Sequence, residues 1–142
     1  MTTIKDLLGE KGRRVFSIQP DATVYDAIKE MSDRDIGALM VVEEGKLVGI
    51  VTERLYAREV ILKGRASPST RVHEVMETDV IYAKLDQSVE DCMAVMTSKR
   101  IRHLPVVVND NLVGVISIGD LVKSIITSHE FTIEQLIHYI NR

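Results

Sequence analysis

Shifted against itself by 65 positions, the sequence matches without a gap. Val15/Val80, Asp21/Asp86, Val24/Val89, Met31/Met96, Ile36/Ile101, Leu39/Leu104, Val41/Val106, Leu47/Leu112 and Gly49/Gly114 are identical pairs, and nearly all are apolar positions or caps. A period of this length marks a duplicated supersecondary unit. Each copy has too few strands to bury both faces of its own sheet. The copies are therefore expected to pack together about an internal pseudo-twofold axis.

The unit is a β-α-β-β-α arrangement, and the fold class is α+β. Ile4 to Leu8 is patterned as a helical turn, and a charged loop, Gly9 to Arg14, follows it. Val15 to Ile18 is a short strand, and Thr23 is placed to cap a helix whose buried face carries Val24, Ala27, Ile28 and Met31. Leu39–Val42 and Leu47–Val51 form a hairpin across Glu43–Lys46. A helix from about Glu53 to Lys63 ends at Gly64. The second copy repeats this order: a turn at Val72–Met76, a strand at Val80–Tyr82, a helix capped by Ser88, a hairpin across Asn109–Asn111, and a helix through Leu121, Val122, Ile125 and Ile126. The implied boundaries are residues 1–64 for the first repeat, 65–70 for a linker and 71–127 for the second repeat. Residues 128–142, with Phe131, Ile133, Leu136, Ile137 and Ile140 at helical spacing, form an additional amphipathic helix. It is expected either to cover the core of its own chain or to join a dimer interface.

Several function classes are disfavoured. A net charge of −3 and few aromatic residues argue against a nucleic-acid binder that works by bulk charge or base stacking. Cys92 is the single cysteine, so no intrachain disulfide is possible and a Cys/His zinc site is not expected. It lies on the buried helical face, and a reducing compartment suits it. No signal core or bilayer-length apolar run is evident, which points to a cytoplasmic protein without membrane partners. His73, His103, His129 and His138 make neither a metal spacing nor a nucleophile–base set, so no catalysis is expected.

The two strand-to-helix junctions are the informative stretches. Gly114-Val115-Ile116-Ser117-Ile118-Gly119-Asp120 runs from an apolar strand through a hydroxyl to a carboxylate. Its duplicate, Gly49-Ile50-Val51-Thr52-Glu53-Arg54-Leu55, keeps the hydroxyl and loses the carboxylate. Together with Ile101-Arg102-His103-Leu104-Pro105-Val106-Val107, these motifs make the chain similar to the CBS domain pair, or Bateman module, over Ile4 to about Thr127. The resemblance implies a non-catalytic regulatory module with no obligatory cofactor. It also implies an adenosine ligand in the clefts between the repeats, with AMP the first candidate and ADP, NAD or ATP alternatives. It further implies a disk-shaped homodimer and a protein partner reached in trans. A structural dimerisation scaffold that has lost its ligand is the alternative.

The residue chemistry suits such a ligand. Asp120 can accept from both hydroxyls of a ribose, and Ser117 can bond ribose or phosphate. Ile118 and Gly119 open a helix whose free N–H groups favour phosphate. The same Ser117 and Asp120 would also serve as an ordinary helix cap. Val80, Ile81 and Tyr82 are candidates for one wall of an adenine slot and Leu104 and Pro105 for the other, while Arg102 and His103 are expected to meet phosphate, with Arg54 and Arg13 or Arg14 as further candidates from the first repeat. The first-copy equivalents, Thr52, Arg54, Ile36, Gly37 and Ala38, form a weak second site, because Leu55 cannot accept from a ribose. One good and one weak or empty site per chain are expected.

Overall fold

The structure, a computed structural model, describes residues 2–12 and 14–141. Its elements in order are α1 (Ile4–Lys11), β1 (Ser17–Ile18), α2 (Val24–Arg34), β2 (Ala38–Glu43), β3 (Lys46–Thr52), α3 (Glu53–Leu55, continuing as a π-helix over Tyr56–Ile61), α4 (Val72–Val75), α5 (Val89–Lys99), β4 (His103–Val108), β5 (Asn111–Ser117) and α6 (Ile118–Ile140). The sheet order is β1-β2-β3-β5-β4. β2–β3 and β4–β5 are antiparallel hairpins with the same register and the same shift, between Val41 and Val42 and between Val106 and Val107. Their tight turns hold Glu44, Gly45, Asn109 and Asp110 at positive φ, as two-residue hairpins require. The halves join edge to edge at one residue pair, Lys46 with Asn111. Thr23 and Ser88 cap their helices as the spacing predicts, accepting from the amides of Asp26 and Asp91 at 3.1 and 3.0 Å.

Chain order and spatial order differ in one respect. α1 packs into the core of the second half, where Ile4, Leu7 and Leu8 lie with Cys92, Met96, Leu104, Ile116 and Leu121. α4 packs into the first half, where Val72 joins Ala27, Met31, Leu39 and Val51. The exchange is hydrogen-bonded: the amides of Ile4 and Lys5 donate to the carbonyls of Gln87 and Leu85, and those of Val72 and His73 donate to Ala22 and Pro20. Each crossing helix lies against a strand glycine, Leu8 on Gly114 and Met76 on Gly49, so the two conserved-register glycines of the repeat are contact points between halves.

The predicted strand at Val80–Tyr82 does not form. Only Ala83 bridges β4, donating to the Pro105 carbonyl at 2.8 Å and accepting from the Val107 amide at 3.1 Å. In the first half the Met40 amide reaches the Phe16 carbonyl, whereas the matching residue in the second half is Pro105, which has no N–H to give. The helix expected over 53–63 is α-helical for three residues and then widens into the π-turn, with the Leu62 amide bonded to the Ala57 carbonyl at 3.0 Å. The last helix is a single element. α6 runs unbroken through residue 127, and its distal part does not cover the core of its own chain, since Phe131, Ile133, Leu136, Ile137 and Ile140 are each more than half exposed.

Candidate functional site

An open cleft of about 830 Å³ lies between the halves, within the usual range of roughly 300–1,000 Å³ for small-molecule sites. One side is built from the β3–α3 junction, with Thr52, Glu53, Arg54, Leu55 and the π-helical Arg58. The other comes from the segment after α4 and the α5–β4 turn, with Val80, Ile81, Arg100, Ile101, Arg102, His103 and Pro105. The exchange of α4 explains this pairing. The Glu77 amide and carbonyl bond Ile50 at 2.9 and 3.0 Å, so the chain leaving α4 starts beside β3 and crosses the cleft before Ala83 joins β4. Because Val80–Tyr82 makes no ladder, Val80 and Ile81 are free to form an apolar part of the cleft lining.

The expected site is therefore divided. Val80, Ile81, Arg102, His103 and Pro105 share the cleft with Thr52, Arg54 and Gly37, not with Ser117–Asp120. Leu104 points into the second core at 1% exposure, Ala38 is buried at 8%, and Ile36 packs on the first core. Tyr82 is half exposed and outside the lining. Arg14 lies over the Phe16 ring at 5.0 Å, and Arg13 is outside the described residues.

Ser117, Ile118, Gly119 and Asp120 form the opposite corner. Ser117 Oγ accepts from the Asp120 amide at 3.1 Å and Asp120 Oδ2 from the Ser117 amide at 2.9 Å, a reciprocal capping box. A Cβ on Gly119 would meet only Ser117 Oγ, at 3.6 Å, so packing does not demand glycine there. The Ile118 amide donates to the Arg102 carbonyl, as the Glu53 amide does to Gly37 in the other half, which places residues 37 and 102 at matching points. Asp120 is already engaged: Lys11 Nζ donates to Oδ2 at 2.5 Å and to the Val115 carbonyl at 2.8 Å. Desolvation pushes the Asp120 carboxyl up, but the bonds from Lys11 and Ser117 outweigh it and leave the group below its ordinary range. His103 is held low by burial first and then by the Lys11 charge, with Asp120 opposing, so it is neutral near pH 7.

The two corners differ because α1 is longer than α4, eight residues against four. Six residues separate Leu8 from Val15, and three separate Met76 from Val80. The additional turn carries Lys11 onto Asp120, while the short α4 leaves the Thr52 corner open. Lys11 had no local signature in the sequence. Arg58 could have been found from its position one turn after Arg54, and Arg100 sits in the basic run that contains Arg102.

A duplicated sheet-and-helix unit with a cleft between its halves defines a paired-repeat module. The CBS domain family matches residues 3–60 and 72–127. The chain is 39% identical over 148 residues to a mitochondrial CBS domain-containing protein of Arabidopsis thaliana, covering 98% of this chain and 72% of that one. Among solved structures, a CBS-domain protein of Burkholderia ambifaria is 49% identical with a TM-score of 0.82, covering 89% of this chain and 95% of that one. One from Agrobacterium tumefaciens is 38% identical with a TM-score of 0.80, covering 87% and 98%. The chain belongs to the CBS domain family and carries two such domains. CBS pairs typically act as regulatory modules that bind adenosine ligands. CBS proteins also oligomerise: a CBS-CP12 protein of bloom-forming cyanobacteria, 28% identical with a TM-score of 0.72 and covering 85% of this chain and 66% of its own, is hexameric. Among the described residues no helix is long and apolar enough to cross a membrane.

Proposed function

We propose that this chain is a non-catalytic regulatory module that binds an adenosine nucleotide in the cleft between its CBS repeats and passes the ligand state to a separate protein. The observation that carries this is the open cleft, which is lined by apolar Val80, Ile81 and Pro105 and by arginines of both halves. The base would lie on the apolar wall and phosphate on the guanidiniums, with AMP the simplest ligand and ADP, ATP or NAD larger members of the class. Ligand binding across two halves whose sheets meet at one residue pair favours one relative packing, and that difference is what a partner reads. The Burkholderia ambifaria relative, a candidate signal-transduction protein, supports this reading. We place the protein in the cytoplasm as a homodimer, with the exposed apolar residues of α6 as interface.

The Ser117–Asp120 corner is a second candidate site that requires Lys11 to leave Asp120. That closure is the observation favouring the scaffold alternative for this corner. A thermal-shift panel with AMP, ADP, ATP and NAD tests the assignment. A ligand at a hundred times its Kd should add about 2.7 kcal/mol. Arg102→Ala should abolish the shift and Asp120→Ala should spare it. No shift with any ligand favours the scaffold.

A further inference from the structure

Four arginines, Arg54, Arg58, Arg100 and Arg102, line the open cleft, and none forms an ion pair among the described residues. This concentration is not inherited from the repeat. At the matching positions of the other half stand Gly119, Lys123, Asp35 and Gly37, so three of the four have no cationic counterpart. The cations come from both sides: Arg54 and Arg58 follow β3 in the first half, and Arg100 and Arg102 belong to the α5–β4 turn of the second. Two local features hold them there. Arg58 sits in the π-turn, a rare conformation that occurs in this half and not in the unbroken α6. Arg100 takes the left-handed φ of 56° at the end of α5, unusual for a side chain of its size.

Like charges gathered without partners repel, and the arrangement is favourable only when an anion is shared among them. Carboxylates also line the cleft, at Glu53, Glu77 and Asp79, but Glu77 is turned to the Asp79 amide at 2.9 Å. One phosphate can satisfy one pair of guanidiniums. Engaging pairs on opposite sides takes a chain of phosphates.

We infer that the open cleft selects a polyphosphorylated nucleoside, a di- or triphosphate, over the monophosphate. This rests on the nucleotide reading above and narrows it. Isothermal titration of the full chain with adenosine, AMP, ADP, ATP and inorganic tripolyphosphate, at two salt concentrations, tests it. Affinity is expected to rise at least about tenfold from AMP to ATP, and more steeply at low salt. Arg54→Ala and Arg100→Ala, both at exposed positions, should each weaken ATP by about tenfold and AMP by less. Equal affinity for AMP and ATP overturns the inference and leaves the nucleotide reading standing. Binding of tripolyphosphate with no contribution from adenosine keeps the phosphate selection and overturns the nucleotide reading. Absence of binding to any of the five overturns both.

Discussion

Replacing Gly49 with alanine probes the exchange of helices and the cleft together. A Cβ at this position would lie 2.6 Å from Met76 Sδ, 2.9 Å from its Cγ and 3.0 Å from the Glu77 carbonyl oxygen. The thioether can swing aside, but the carbonyl accepts from the Ile50 amide and cannot move without opening that bridge. Overpacking of this kind costs about 1–3 kcal/mol, offset by the roughly 0.5–1 kcal/mol that alanine gains over glycine within a strand. The net loss therefore lies between about 0 and 2.5 kcal/mol and centres near about 1 kcal/mol, a fall in Tm of roughly 2–4 °C for a chain of this size. Urea denaturation of the variant, followed by circular dichroism, measures it. Met76→Ala in the same background should recover part of the loss, because it removes the sulfur contact and leaves the carbonyl contact. The loop leaving Glu77 forms one wall of the cleft, so nucleotide affinity should fall with stability. A gain in stability in Gly49→Ala would refute the packing of α4 against the first half.

Three further outcomes are expected. Lys11→Met breaks a partly exposed ion pair and should cost only about 0.2–1 kcal/mol because solvent screens it; it should raise the His103 pKa, followed by NMR titration, since a cation that holds it down is gone. Stability should decline in acid in two stages, seen in unfolding midpoints against pH. His103, held below its ordinary value of 6.5, resists protonation in the folded state, so stability falls as pH drops below that value, and His103→Gln should remove this stage. Asp120, held below 3.8, contributes stability above that pH and loses it as pH falls through its lower folded value, and Asp120→Asn should shrink the second stage, to which Asp6 and Glu59, also held low, contribute the remainder. Truncation after Thr127 removes a segment whose described residues, 128–141, are all exposed; light scattering should show a smaller assembly, while the cooperative unfolding of the two cores is retained.

The repeat, the two hairpins, the caps at Thr23 and Ser88 and the family itself are legible in the sequence. All rest on short-range periodicity, turn chemistry and self-comparison, which a linear chain displays. The partition of the site is not. Val80 and Ile81 lie in the same repeat as Ser117 and Asp120, yet the crossing of α1 and α4 sends them to the Thr52 corner. Nothing local marks that crossing, since it depends on which core buries Leu8 and Met76. Closure of the Asp120 corner is also a tertiary outcome: one additional turn of α1 brings Lys11 across 109 residues of sequence to Asp120. The sequence determined that there would be two nearly equivalent corners and that they would differ at Leu55 and Asp120. The tertiary structure decided which is open, because access depends on the lengths of helices that pack against the opposite half.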